Sequence, residues 1–130
     1  SLIRNYAIFC GSNTLTTTQV CENARPYVFD ACTVMEVRLA VNTAPTGSAL
    51  IVDVNECDTN GTACTSIWNT TQANRVQIAA SATAGSQTTF DTRYIEAGNR
   101  FSIDIDQIGS STAGGPLTVN IACRLGTVTP

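Results

Sequence analysis

The chain contains no histidine and no lysine. Losing histidine removes the usual general base, the commonest zinc ligand and the usual partner of a nucleophilic Ser or Cys. Losing lysine removes the alternative amine base, so acyl transfer by a Ser, Thr or Cys nucleophile is not expected. Charged residues are also scarce, at 13% of the chain, where globular domains carry about a quarter. The seven cations are all Arg, set against ten acids, for a net charge of −3. That balance offers no basic footprint for nucleic acid and no cationic cluster for an anionic membrane surface. No apolar run approaches the ~20 residues of a membrane helix. No long stretch repeats with a 3.6-residue period, so helices are not expected either. The chain opens on Ser1, without Met and without a signal-peptide pattern, which reads as a mature secreted chain whose leader has been removed.

What the chain does contain is six cysteines in 130 residues: Cys10, Cys21, Cys32, Cys57, Cys64 and Cys123. An even count in a small chain reads as disulfides formed in an oxidising compartment. A metal site would need CxxC-like spacing, which is missing, so no metal and no cofactor are expected. At this length a chain buries roughly two thirds of its unfolded surface, so one domain over residues 1–130 has a usable core before any staple is added.

Twenty Thr residues, with Val and Ile, favour strands, because β-branched side chains fit a pleated surface. Leu2 to Phe9 is expected as the first strand. Ile3, Ala7 and Phe9 lie on one side, Leu2, Tyr6 and Ile8 on the other. A strand apolar on both faces expects cover on both, which makes residues 1–10 a candidate for exchange between subunits. Val34 to Val41, Leu50 to Val54, Thr65 to Trp68, Arg75 to Ala80, Thr88 to Tyr94, Arg100 to Ile108 and Leu117 to Cys123 complete about eight strands separated by turn signals. Met35, Val37, Leu39, Val41, Leu50, Val52 and Val54 are the expected inward set of the second and third. The fold class is therefore all-β: an antiparallel two-sheet β-sandwich, jelly-roll-like and disulfide-stapled. An immunoglobulin-like sandwich is weaker, because Trp68 does not sit between cysteines at the spacing that fold uses.

Cys57 and Cys64 flank Asp58-Thr59-Asn60-Gly61, and Asn-Gly supplies the positive φ angles of a tight hairpin. A hairpin there brings the two thiols face to face. The other four cysteines allow three pairings. Cys10–Cys21, closing the Thr-rich loop Ser12 to Thr18, is preferred, which leaves Cys32 with Cys123.

Several constellations invite a chemical reading. Asp53, Asn55, Asp58 and Asn60 carry oxygens at short spacing, as calcium loops do, but the twelve-residue loop ending in Glu is missing; an Asx-rich turn accounts for them. Asp91, Asp104 and Asp106 offer carboxylates for glycoside hydrolysis. Asp104 and Asp106 lie two apart on a strand and share a face opposite Phe101, Ile103 and Ile105, so a solvated outer face accounts for them, and the chain is not expected to be an enzyme. Trp68, Tyr6, Tyr27 and Tyr94 suggest a sugar-stacking platform, although a core or interface role suits them better. Asn60-Gly61-Thr62 and Asn69-Thr70-Thr71 both match the N-x-T sequon, so Asn60 and Asn69 are candidate glycan acceptors. Asp58, two residues before Asn60, also fits the extended acidic form used by bacterial glycosylation.

The run from Val37 to Asn55, with its Thr43-Ala44-Pro45-Thr46-Gly47 turn and its Val52-Asp53-Val54-Asn55 strand, points to a family. So do Ile95 to Ser110 and Gly114 to Ile121. Together they resemble a β-sandwich domain of phage tail and tail-fibre structural proteins and of bacterial extracellular fibril subunits found in environmental samples. The resemblance spans roughly residues 34–122. It implies a structural and interaction role and carries over no catalytic residue. The cysteines and the segment before Val34 depart from the phage domains and favour a secreted fibril subunit.

The expected function is thus a structural subunit of a self-assembling extracellular filament, secreted or on the cell surface. Its expected partners are further copies of itself and covalent glycans, with no membrane insertion. Leu2, Ile3, Tyr6, Ile8 and Phe9 are the expected subunit-interface residues, adding a strand to the next subunit's sheet. The alternative is a carbohydrate- or receptor-binding module of a phage tail fibre.

Overall fold

The computed structural model describes residues 2–21 and 25–126. Ser1, the first residue of the candidate exchanged segment, lies outside them. The described residues form nine strands in two antiparallel sheets, with one short 3-10 turn at Gln72–Asn74. In chain order the strands are β1 (Ile3–Cys10), β2 (Cys32–Thr43), β3 (Leu50–Cys57), β4 (Cys64–Ser66), β5 (Val76–Ile78), β6 (Ala84–Gln87), β7 (Tyr94–Ile95), β8 (Arg100–Gln107) and β9 (Gly115–Leu125).

The first sheet runs β1, β9, β2, with β6 and β7 sharing the far edge of β2 end to end. The second centres on β3, with β8 along one edge and β4 and β5 sharing the other. The chain crosses between sheets from β2 to β3 and again from β8 to β9. Since β2 pairs with β9 and β3 with β8, two antiparallel neighbours stay adjacent through both layers. That bent ribbon is the winding of a jelly roll. Its corner is held by the Thr46 N–H donating to the Thr112 carbonyl (3.0 Å) and the Ser111 N–H donating to the Thr46 carbonyl (2.9 Å).

Period-two alternation puts Tyr6 and Ile8 of β1, Leu50, Val52 and Val54 of β3, Phe101 and Ile105 of β8, and Leu117, Val119 and Ile121 of β9 into one core. Each fully buried side chain of this size contributes about 1.5–3 kcal/mol. β2 departs from simple alternation. Val34, Val37, Leu39 and Val41 are buried while Met35 is only half-buried, because a bulge between Val34 and Glu36 shifts the register by one residue. The expectation that Met35 points inward is corrected by that extra residue.

The expected strand over Thr88 to Tyr94 is also corrected. Ladder pairing is confined to β6 and β7 on either side. Between them the backbone wraps a buried indole. The Trp68 Nε1–H donates to the Thr89 carbonyl (2.7 Å), and the Asp91 and Thr92 N–H groups donate to the Ile67 carbonyl. Phe90 stacks on Trp68 with ring centroids 5.8 Å apart. The same demand ends β4 at Ser66, short of the expected Trp68: Ile67 and Trp68 turn into the core.

Three disulfides staple the sandwich: Cys10–Cys21, Cys32–Cys123 and Cys57–Cys64. Cys57 and Cys64 are direct cross-strand partners in β3 and β4, on either side of the Asn-Gly turn. Cys32–Cys123 spans 91 residues and Cys57–Cys64 spans seven. In the chain-entropy account these closures contribute about 4–5 and about 2–3 kcal/mol. Replacing Cys32 and Cys123 together by Ala should therefore cost more than replacing Cys57 and Cys64, by about 2 kcal/mol in chemical denaturation followed through Trp68 fluorescence. Equal losses would mean that the bridges act on the native state rather than on the unfolded chain. A second expectation concerns the β5–β6 side of the sandwich, where a Cβ on Gly85 would lie 1.9 Å from the Gln77 carbonyl oxygen. Gly85→Ala should destabilise by about 1–3 kcal/mol; an unchanged denaturation midpoint would show that this contact is not needed.

Candidate functional site

β1 is antiparallel to β9, in register from Ile3 opposite Arg124 to Cys10 opposite Leu117. The Leu125 N–H donates to the Leu2 carbonyl (2.8 Å), so by antiparallel alternation Ile3, Asn5, Ala7 and Phe9 turn their main-chain groups away from β9. The five candidate interface residues separate into two sets. Tyr6 and Ile8 lie in the core, whereas Leu2, Ile3 and Phe9 are 72%, 47% and 47% exposed. Tyr6 meets the Phe101 ring at 5.3 Å. Burial pushes its phenol up, against the pull of the nearby Arg4 guanidinium. Beyond β1, the Cys10–Cys21 bridge closes a loop anchored by buried Leu15, whose N–H donates to the Gly114 carbonyl (3.1 Å). The other two bridges lie wholly within residues 32–123. No disulfide therefore ties residues 2–21 to the rest of the chain.

Both candidate acceptors, Asn60 and Asn69, are exposed. Asn60 sits on the β3–β4 turn, where Gly61 adopts a φ of +73°. Asp58 Oδ1 accepts from the Thr62 N–H (2.8 Å), and Asp58 Oδ2 accepts from the Thr62 hydroxyl (3.1 Å). Asn69 follows Trp68. Here Asp91 Oδ2 accepts from the Thr70 and Thr71 N–H groups (2.9 and 2.7 Å), and Asp91 Oδ1 from the Thr71 hydroxyl (3.1 Å). The N–H groups of Thr62 and Ala63 hold the Asp58 carboxyl below its ordinary value. At Asp91 desolvation pushes upward, but the N–H groups of Thr71 and Thr70 together outweigh it, and the carboxyl is likewise lowered.

The outer face of the second sheet carries the acidic residues. Asp53 lies directly opposite Asp104 on neighbouring strands, an arrangement that costs energy when both are charged. Its neighbours moderate it. Asp53 is 7% exposed and accepts from the Ser66 hydroxyl (2.5 Å), Asp104 accepts from Asn55 Nδ2 (2.9 Å), and Asp106 pairs with Arg75 at 2.7 Å. Burial pushes the Asp53 carboxyl up, against the Ser66 hydrogen bond. Asp53, Asn55 and Asp58 are thus each engaged with a different neighbour rather than converging on one point. Asp104 and Asp106 share the outer face, and Asp91 stands apart with its threonines.

A groove of about 370 Å³ runs between residues 17–21 and β8, lined among others by Arg25, Asn55, Ser102 and Asp104. Asp104 is its one carboxylate among the described residues, and no aromatic ring lines it. Trp68 and Tyr6 are buried, and Tyr27 packs edge-on against Phe29 at 4.6 Å. Trp68 and Tyr6, two of the four platform candidates, therefore offer no face for sugar stacking. The burial of Asp53 and the two Asp–Thr clasps were not read from the sequence. An Asp two residues before a sequon is a local signal for the first clasp, but Asp91, 20 residues beyond Thr71, gives none for the second.

The fold and its staples define a class, an antiparallel β-sandwich closed by three disulfides, which form and persist in oxidising compartments. No family model, curated protein or solved structure matches the chain. Among the described residues no helix is long and apolar enough to cross a membrane.

The carboxylates make stability depend on pH with opposite signs. Asp53 titrates above its unfolded value, so its contribution is present below the unfolded pKa and is lost as pH rises through the folded one. Asp58 and Asp91 titrate below theirs, so their contributions are present at neutral pH and are lost on acidification. Asp53→Asn should therefore be more stable than the parent at neutral pH, and the gain should vanish near about pH 3, where both side chains are neutral. A gain of the same size at both pH values would contradict the role of burial.

Proposed function

We propose that the protein is a structural subunit of a self-assembling extracellular filament, joined head to tail through its N-terminal strand and N-glycosylated on its surface turns. The observation that carries this reading is the covalent layout. Cys10–Cys21 makes residues 2–21 one unit, Cys32–Cys123 closes the sandwich without it, and β1 sits at the terminal edge of its sheet, paired only with β9 among the named strands. Such a unit can leave its own sheet and occupy the same place on a neighbour with no disulfide broken. Beyond this unit the chain is docked on the sandwich again by Val28, which is fully buried and whose N–H donates to the Asn99 carbonyl (2.8 Å), so the subunit that receives the strand has to lie close to the one that supplies it.

Exchange preserves the β1–β9 ladder and the burial of Tyr6 and Ile8, so that part of the free energy is nearly unchanged. The driving force comes from what the new contact adds, and exposed Leu2 and Ile3 are the apolar surface at hand. A contact of this kind is heterologous and does not close on itself, which is the condition for a filament. The resemblance to fibril subunits points the same way, and three disulfides suit a protein outside the cell.

Negative-stain microscopy of the purified protein should show uniform filaments. Joining β1 to its own β9 with Asn5→Cys and Ala122→Cys, which lie directly opposite each other, should give folded monomers and no filaments. Either single substitution alone should still assemble. If the bridged protein polymerises like the parent, strand exchange is wrong; if the parent forms only discrete particles, the filament itself is.

A further inference from the structure

The two sequons share an arrangement that their sequences do not. In each, the hydroxyl and the N–H of the +2 threonine are held by one aspartate: Thr62 by Asp58 and Thr71 by Asp91. At Asn60 the clasp is reinforced by the Gly61 N–H donating to the Asp58 carbonyl (2.9 Å) and by the Cys57–Cys64 bridge across the turn. At Asn69 the preceding Ile67 and Trp68 are fully buried, and the Ile67 carbonyl accepts from the N–H groups of Asp91 and Thr92. A sequon is read through its Asn amide and its Ser or Thr hydroxyl. Here the asparagines are exposed, but the hydroxyls and the adjoining backbone are already taken.

We propose, building on the glycoprotein reading above, that the folded domain is closed to N-glycosylation at both sites, that glycan is added before folding, and that Asn69 is therefore the favoured acceptor over Asn60. In the transfer, Asn Nδ2 bonds to the anomeric carbon of a sugar carried on a lipid diphosphate. The bond from that carbon to the phosphate oxygen breaks, the lipid diphosphate leaves, and the amide proton passes to a base of the transferase. The threonine must be free to be recognised while this happens. The order of the two sites follows from chain distance. Asp58 lies four residues from Thr62, within a hairpin that closes in about 1–10 μs. Asp91 lies 20 residues beyond Thr71, so at about 5–20 residues per second it emerges about 1–4 s later. Asn60 loses its window as its turn forms, whereas Asn69 keeps its own until residues 88–93 have been made and have docked around Trp68.

The test uses a purified oligosaccharyltransferase with a lipid-diphosphate-linked sugar donor and the full chain in three forms, with occupancy of each site read by glycopeptide mass spectrometry. The oxidised, folded chain should accept at least about tenfold more slowly than the reduced and alkylated chain at both sites, the worth of a single hydrogen bond to a charged acceptor. Folded Asp91→Ala should regain acceptance at Asn69 and not at Asn60. In a secretory cell, Asn69 occupancy should exceed Asn60 occupancy by more than the ratio the two sites show in the unfolded chain. A folded parent that accepts as fast as the unfolded chain overturns the closure, even if Asp91→Ala fails to fold. A secreted ratio equal to the unfolded one overturns the ordering. An unfolded chain that accepts at neither site would instead overturn the sequons themselves, and with them the glycoprotein reading.

Discussion

The pairing of β2 with β9, fastened by Cys32–Cys123, is the constraint on which the other elements depend. It joins segments 91 residues apart and runs from Cys32 opposite Leu125 to Thr43 opposite Gly115. Closing a loop of that length carries a large entropic cost, and the bridge removes about 4–5 kcal/mol of it from the unfolded side. Once the pair exists, each strand offers its outer edge: β9 takes β1, and β2 takes β6 and β7. Where the pair ends, the chain folds over at Thr46 and Thr112, and the continuing strands, β3 and β8, are already neighbours. The second sheet is a consequence of the first.

That hierarchy bears on the proposed exchange of β1. It is added to an edge of a pair already closed without it, and its own bridge to Cys21 makes it a self-contained unit. Tyr6 and Ile8 give it affinity for the core, and the β9 ladder gives it register. Neither depends on which copy of the chain supplies the strand. In the proposed exchange, intramolecular closure and intermolecular pairing are thus close in energy, and subunit concentration decides between them.

Much of the sandwich was legible wherever alternation was unbroken and the turns carried Gly, Asn or Pro. Leu2 to Phe9, Leu50 to Val54 and Arg100 to Ile108 lie within one or two residues of β1, β8 and the start of β3, because side-chain period and strand geometry coincide there. The Asn-Gly turn placed Cys57 against Cys64 by local geometry alone. Legibility failed where a non-local demand overrode the local pattern. Nothing around Met35 announces a bulge, which exists because β2 must match β9 along its whole length. The Thr-rich run from Thr88 has strand propensity, but one buried indole needs an acceptor and an aromatic neighbour, and residues 88–93 supply them. Asp53 reads as an outward residue, as it is, yet Ser66 and Gln72 from the following turn cover it. The candidate functional features fared alike. The Asp58 clasp was within reach of the sequence; the Asp91 clasp and the edge position of β1 needed the tertiary pairing.

With so few charges, each carboxylate has a local task and the tasks oppose one another. Asp58 and Asp91 fasten turns and lose their hold on acidification, whereas Asp53 is a buried carboxyl that becomes easier to accommodate as it is protonated. Their contributions partly cancel as pH falls. The absence of histidine removes any further titration between pH 5 and 8 from side chains at their ordinary values, and the three disulfides do not titrate at all. Stability that changes little between pH 5 and 8 follows from this composition, and it would suit the filament proposed above. The same economy links the two surface turns to that property: the aspartates that withdraw Thr62 and Thr71 from a transferase are the ones that hold the turns rigid near neutral pH. If glycan is added to such a domain, as proposed above, these clasps require that it be added before they close.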